Sequence, residues 1–288
     1  MQKITQSSEF YPASLRHISH PPTQLYIEGN AAALNNFCIA VVGTRRPSPY
    51  GKMQTRLITD FLAKNNVTIV SGFAHGIDII SHETALKNST PTIAVLGSGL
   101  ENIYPASHKK YIDDIIKTGG AIITEYEPTE EPLKFHFPQR NRIIAGISEA
   151  VVVVEAPEKS GSLITAKLAL EYNKDIFAVP CDIDRKIGIG AIRAIQSCGA
   201  YPIISPEEIF EQMNLQIKIP FMEAPDICPT GMPKNALAVY SALSKKSPKT
   251  IDDLANETYL TAPEISHAIS ILEIQGLIEK IGAGIIRK

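Results

Sequence analysis

The densest chemistry in the chain lies in one run of eleven residues, Pro132-Leu133-Lys134-Phe135-His136-Phe137-Pro138-Gln139-Arg140-Asn141-Arg142. It holds three cations, two phenylalanines and a histidine. Cations neutralise phosphates, and an aromatic face stacks a base whatever its identity, so the combination suits a single-stranded nucleic acid. Ordinary structural roles compete with this reading. One of Phe135 and Phe137 would pack into the core, and the arginines would find ion-pair partners in Glu125 or Glu127. Asn141, between two arginines at the start of a helix, reads as part of a positioned donor set.

Three further runs carry polar groups of the same kind. Thr44-Arg45-Arg46-Pro47 sets an arginine where a ligand phosphate is expected beyond a strand. A helix started by proline with flanking arginines is also an ordinary surface turn. The run Lys159-Ser160-Gly161-Ser162 supplies hydroxyls and amides at a helix start, an anion nest. The run SGFAHGID contributes Ser71, Gly72, His75, Gly76 and Asp78. No nucleophile neighbours that His–Asp pair in sequence, so His75 reads as a satisfied loop histidine and Asp78 as a helix-dipole or hydrogen-bonding residue. Neither phosphate-loop signature fits: no GK[ST] follows Gly161, and GSGLEN has Asn102 where a dinucleotide fingerprint needs its third glycine. Cys38, Cys181, Cys198 and Cys228 form no CxxC pair and suggest reduced thiols. No catalytic set, cofactor or metal is expected.

These runs must be held by a scaffold, and its pattern is regular. Short apolar segments recur at Cys38 to Val42, Val67 to Val70, Thr92 to Leu96, Ala121 to Thr124, Ala150 to Val154 and Ile176 to Val179. Each is continuously apolar and most are rich in β-branched residues, as strands buried on both faces are. Helix-length segments lie between them, for example Tyr50 to Lys64, His75 to Lys87, Ser107 to Lys117 and Leu163 to Tyr172. Strand–helix alternation at this spacing implies right-handed crossovers: the fold class is α/β, an extended Rossmann-like, doubly wound and mainly parallel sheet. Ligands of such sheets bind beyond the carboxyl ends of the strands, where all the polar runs above fall. Gly43, Gly72, Gly97 and Gly161 recur at that edge and would let backbone amides approach a phosphate.

The chain's 288 residues include 28 Lys+Arg and 30 Asp+Glu, so any anion site must be a local patch rather than a globally basic surface. Hydrophobic residues make up 44%, enough for a sizeable core. The start, MQKITQSSEFYPASL, has no apolar signal segment, and no apolar run reaches the roughly 20 residues of a membrane span. A cytoplasmic protein without membrane partners is expected.

The organisation expected is an N-terminal extension (1–36) packing on the Rossmann-like domain (37–213), a proline-rich linker (214–232) and a small domain (233–288). The last reads as three helices, about Lys234 to Leu243, Thr250 to Thr258 and Ala262 to Gln275, then two short strands, the order of a winged helix. Its third helix offers His267 beside Glu264 and Glu273 and no Lys or Arg. From Pro233 onward there are seven Lys/Arg against six Asp/Glu, which disfavours a reader of duplex DNA and favours protein contact or weak DNA binding.

At these motifs the sequence resembles the bacterial DNA-processing protein A (DprA, or Smf) family. The matching runs are YPASL, HPPTQLYIEG, VVGTRRPSPYG, IVSGFAHGIDIISHETAL, TIAVLGSGLENIYPASH, ITEYEP, PLKFHFPQRNRIIAG and VVVVEAPEKSGSLITAKLALE, in order through most of Tyr11 to Pro180. The resemblance implies a non-enzymatic, dimeric protein that binds single-stranded DNA, protects incoming DNA and loads the RecA recombinase during natural transformation and homologous recombination. Its DNA-binding residues would be Arg45, Lys134, Phe137, Arg140, Asn141 and Arg142, with Gly43, Ser71, Gly72, Gly161 and Ser162 forming the pocket. The C-terminal domain would contact other DNA-processing proteins or duplex DNA. A helical domain that often precedes the Rossmann-like part in the family is expected to be missing, since the first apolar run begins at Cys38. Two departures stand out: Cys181 follows Pro180 where the family has glycine, and Arg193 replaces an asparagine, which puts that sub-site in doubt. An enzyme is the alternative from another class, as related Rossmann-like proteins include nucleotide-processing phosphoribohydrolases. The acid those need is not placed after the SGSLIT loop, where Lys167 and Leu168 stand. A duplex-DNA regulator acting through the winged helix is the third reading.

Overall fold

The computed structural model describes residues 1–216, 233–243, 249–258, 260–274, 277–281 and 284–287. The linker expected at 214–232 falls almost wholly outside them, as do Gly276 and Gly282. Contacts divide the chain into two compact units, Met1–Pro220 and Phe221–Lys288.

The first unit runs β1 (Gln2–Thr5), α1 (Ala13–Arg16), β2 (Gln24–Gly29), β3 (Cys38–Val42), α2 (Pro49–Lys64), β4 (Thr68–Ser71), α3 (Ile77–Lys87), β5 (Thr92–Val95), α4 (Ile112–Lys117), β6 (Ala121–Thr124), α5 (His136–Ile147), β7 (Ala150–Val153), α6 (Gly161–Glu171), β8 (Asp175–Ala178), α7 (Ile189–Cys198), β9 (Tyr201–Pro202) and α8 (Glu207–Gln212). All strands join one sheet in the order β1-β2-β6-β5-β4-β3-β7-β8-β9. From β6 to β9 the pairs are parallel, while β1–β2 and β2–β6 are antiparallel. The six apolar runs are strands β3 to β8. The extension does more than pack on the sheet, since β1 and β2 lengthen it past β6. Their mixed sequences, QKIT and QLYIEG, lack the continuous apolar character that marks the parallel strands.

Alternation within β3 and β7 explains why both must be apolar throughout. Cys38, Ala40, Val42, Val151 and Val153 face one core layer, with Ile143, Ile144, Ala166 and Ala169 of α5 and α6. Ile39, Val41, Ala150 and Val152 face the other, with Ile58, Leu62, Ile77 and Phe210 from α2, α3 and α8. Two of the helices at the carboxyl edge start on a serine cap. Ser48 caps α2 by accepting from Gly51 N (3.1 Å), with Pro49 at the first helical position, and Ser160 caps α6 by accepting from Ser162 N (3.3 Å).

The second unit has α9 (Lys234–Ala242), α10 (Ile251–Thr258) and α11 (Ala262–Ile274), followed by the antiparallel pair β10 (Ile278–Ile281) and β11 (Gly284–Arg287). Val239, Leu254, Ile265, Leu272, Ile278 and Ile285 form its core. Two capping boxes begin its helices. Thr250 N donates to Asp253 Oδ2 (2.9 Å), and Thr261 N donates to Glu264 Oε2 (2.9 Å). The acid on α11 is thus engaged at that helix's own start. Among the described residues no helix is long and apolar enough to cross a membrane.

Candidate nucleic-acid interface

The strand order reverses between β3 and β7: β4, β5 and β6 extend to one side, β8 and β9 to the other. At such a point two strand-to-helix turns diverge and leave a crevice at the carboxyl edge. A cleft of about 740 Å³ opens there. The β3–α2 turn supplies Gly43, Thr44 and Arg45, the β7–α6 turn and the start of α6 supply Lys159, Ser160, Gly161 and Ser162, and Lys134 just before α5 is joined by Phe137, Arg140 and Asn141 in its first turns. Backbone bonds hold its mouth: Thr44 N donates to Glu155 O (2.7 Å), and Ser48 N and Oγ donate to the buried Glu155 carboxylate (2.7 and 2.6 Å).

The cationic wall is unpaired. Arg45, Lys134 and Lys159 are exposed, and among the described residues none forms an ion pair. Arg45 holds its guanidinium 5.4 Å from the centre of the Phe137 ring. That ring is half-buried: Tyr104 meets it edge-on at 5.7 Å, and a β-carbon at Gly97 would lie 2.9 Å from its Cδ1. Glycine is therefore required at 97 for the ring to sit flat against the end of β5. The result is an aromatic ring and three cations lining one cleft.

Neither Phe135 nor Phe137 takes the expected place in the core. The helical start of α5 takes over from His136, and the core-facing member is His136 itself, buried and stacked on Tyr126 (3.9 Å, 25°). Phe135 is 58% exposed.

The arginine pair splits. Arg140 is buried and donates to Gly72 O (2.7 Å) and to Val95 O, so it ties β4 to β5 beneath the cleft. Asp78 shares that space. A β-carbon at Gly72 would fall 2.5 Å from Arg140 Nη2 and 2.7 Å from Asp78 Oδ2, so residue 72 must lack one. Burial pushes the Asp78 carboxyl up to about 6, opposed by the charge of Arg140 and by hydrogen bonds from Ala74 N and Ser71. Burial likewise lowers Arg140 to about 10, opposed by Asp78. Arg142 points elsewhere. It grips the Glu125 carboxylate with both terminal nitrogens (Nη2–Oε2 2.6 Å) and donates to His20 O (2.8 Å). It does not line the cleft, and the ion pair weighed from sequence is the one it makes.

Asn141 bridges: Nδ2 donates to Gly161 O (3.1 Å) and Oδ1 accepts from Arg140 Nε (3.3 Å), docking the α6 start on α5. Ser71, fully buried, donates to Val41 O (2.7 Å) and, like Gly72, lies under the cleft rather than on its wall. Gly161 is open, with nothing within 4 Å of a β-carbon there. Arg193 pairs with Glu158 (3.5 Å), and Cys181 Sγ donates to Asp182 O (3.5 Å). Tyr104 and Lys159 are cleft residues that the sequence reading left out of the site. Both follow strand ends, which was the available signal.

Comparison with known proteins gives one family. The model described as DNA recombination-mediator protein A matches residues 2–214, and the one described as DprA winged helix domain matches residues 229–284. Protein Smf of Escherichia coli (strain K12) is 37% identical over 292 residues, covering 99% of this chain and 76% of its own length. The solved structure of DNA processing protein A from Streptococcus pneumoniae matches with TM-score 0.69 and 39% identity, over 73% of this chain and 74% of that one. DNA processing protein A from Helicobacter pylori, a protein with a described single-stranded-DNA binding mode, matches with TM-score 0.65 and 33% identity, over 74% of this chain and 96% of that one.

Proposed function

The chain belongs to the DNA recombination-mediator protein A family, and from that premise we propose that it binds single-stranded DNA in the cleft between β3 and β7. One observation carries the reading: unpaired Arg45, Lys134 and Lys159 line the same cleft as Phe137, with Arg45 over its ring. Cations take successive phosphates while the ring stacks a base, which gives affinity with little preference for sequence. Arg140 and Asn141 act here as positioning residues beneath and beside the cleft, with Gly43, Ser71, Gly72, Gly161 and Ser162 shaping its rim and floor. Arg142 contributes through the fold, by holding the start of α5 against Glu125 and the N-terminal segment.

The same reading extends to the cell. The protein works in the cytoplasm as a homodimer that shields incoming single strands and loads the RecA recombinase during transformation and recombination. Two clefts on one strand raise the effective affinity through avidity. Binding rather than catalysis is favoured by the state of the cleft's acid. Asp78 lines the cleft but is buried, accepts from Ala74 N (3.4 Å) and lies against the charge of Arg140, so its carboxyl is engaged by the fold.

Fluorescence anisotropy with labelled oligo-dT and with duplex of equal length tests the proposal. Tight single-strand binding, weakened in both Arg45→Ala and Lys134→Ala, is expected. Equal affinity for duplex and single strand, with neither variant affected, would refute it and direct the search to nucleoside monophosphates as substrates.

A further inference from the structure

Arg45 lines two hollows. Besides the cleft, it walls a separate hollow of about 320 Å³ on the other side of the β3–α2 turn, shared with Arg46, Lys52, Gly76, Ile79 and Ile80. Arg45, Arg46 and Lys52 put three cations around this small space, and no acidic side chain lines it among the described residues. Arg46 and Lys52 are exposed, and neither forms an ion pair among the described residues. Some surface cations of this unit differ: Lys64, Lys117, Lys174 and Arg185 each have a carboxylate within 4 Å.

The place of Lys52 sharpens the contrast. It is the fourth residue of α2, whose first turn holds no acidic side chain. A cation near a helix N-terminus is unfavourable, because the unsatisfied amides already leave partial positive charge there. The one carboxylate at this helix start, Glu155, is taken up by Ser48 N and Oγ and does not line the hollow, so three cations converge there with no acidic side chain among its walls, the arrangement expected where an external anion completes the charge. The walls are already fixed. Ile77 N donates to Thr44 O (3.2 Å), fastening the β4–α3 loop to the β3–α2 turn, and Arg46 N donates to Thr44 Oγ1 (3.2 Å).

We propose that this hollow is a second phosphate subsite for the same single strand, with Arg46 and Lys52 holding a backbone phosphate past Arg45, on the side away from Phe137. The inference rests on the single-strand reading of the cleft. Arg45 then bridges two subsites, and the strand crosses the β3–α2 turn instead of ending at it. Ile79 and Ile80 give an apolar floor without an aromatic face, so this subsite takes a phosphate and no stacked base.

The test uses the full chain and measures the slope of log affinity against log salt on two oligo-dT lengths, about 4 and about 16 nucleotides, the usual range of single-strand site sizes. Each phosphate contact on a single strand adds about 0.7 to that slope. Arg46→Ala/Lys52→Ala is expected to lower the slope by about 0.7 on the longer strand, one phosphate contact, and to leave the shorter one unchanged. Arg45→Ala lowers it on both. The charge-conserving Arg46→Lys/Lys52→Arg variant is expected to keep the wild-type slope on the longer strand, which separates lost charge from lost folding. An unchanged slope in the double alanine variant, with Arg45→Ala still effective, overturns the subsite alone. An equal drop on both lengths also overturns it, because the residues would then act only through the general field. If wild type shows no single-strand binding, or Arg45→Ala has no effect on it, the reading of the cleft itself fails and the subsite with it.

Discussion

Replacing Phe137 separates stacking from charge. The ring lines the cleft, backs on Gly97, meets Tyr104 at 5.7 Å, and carries Arg45 5.4 Å from its centre. A base stacked on the ring contributes about 1–3 kcal/mol. At about 1.4 kcal/mol per tenfold, Phe137→Ala should weaken oligo-dT binding by roughly 5- to 150-fold. The Arg45–Phe137 contact, worth about 0.5–1 kcal/mol at an exposed site, exists before DNA arrives and so affects where Arg45 waits rather than adding directly to affinity. Stacking releases no counterions, so titrations over a salt series should give a line parallel to wild type and displaced downward. Phe137→Tyr keeps the face and should stay near wild type, while Phe137→Leu keeps apolar bulk without the face and should fall between. The half-buried ring is not a core residue, so thermal unfolding should move little. A loss below about threefold, or one accompanied by a changed salt slope, would refute the stacking role.

Other expectations follow from the same geometry. Arg45→Ala should reduce the salt slope by about 0.7, whereas Arg142→Ala, which breaks the Glu125 pair, should lower the melting temperature and leave the slope intact; slopes that change the other way round would reverse the two assignments. Gly72→Ala forces a β-carbon against Arg140 and Asp78 and should cost about 1–3 kcal/mol in urea unfolding. Gly161→Ala meets nothing and should be close to neutral, so equal effects at the two glycines would contradict the packing described. His82 is fully buried, its Nδ1 bonded to Thr92 Oγ1 (2.7 Å), and burial lowers it from 6.5 to about 3. The unfolded chain therefore takes up a proton below about pH 6.5 that the native state refuses, and His82 makes stability fall with acidification by up to about 1.4 kcal/mol per pH unit. Asp78, raised to about 6, acts in the opposite direction between about pH 4 and 6, so the informative quantity is wild type minus His82→Asn. That difference should fall toward low pH, and a flat one would count against the neutral buried histidine.

Much of the scaffold was legible because buried parallel strands advertise themselves. Cys38–Val42 and Ala150–Val153 are apolar at every position, since each faces a core layer on both sides. The strands that went unread, β1, β2 and β9, lie toward the sheet edges, where mixed sequences suffice. At the cleft, the importance of Arg45, Lys134 and Phe137 could be read from residue type and from their place after a strand or before a helix. The fates of Arg140 and Arg142 could not. Two arginines two residues apart on α5 lie on different faces of the helix, one turned under the sheet edge onto Gly72 and Val95, the other out to Glu125.

The sequence by itself determined the α/β class, the strands buried on both faces, the glycine-bearing turns and the three-helix-plus-hairpin tail. These follow from local periodicity and turn chemistry, which neighbouring residues carry among themselves. Only the tertiary structure decided which cations remain unpaired. Pairing depends on carboxylates distant in sequence, such as Glu125 for Arg142, that the sheet order brings within reach. Residue type gives a side chain its charge, but whether that charge is offset or left for a ligand depends on the fold.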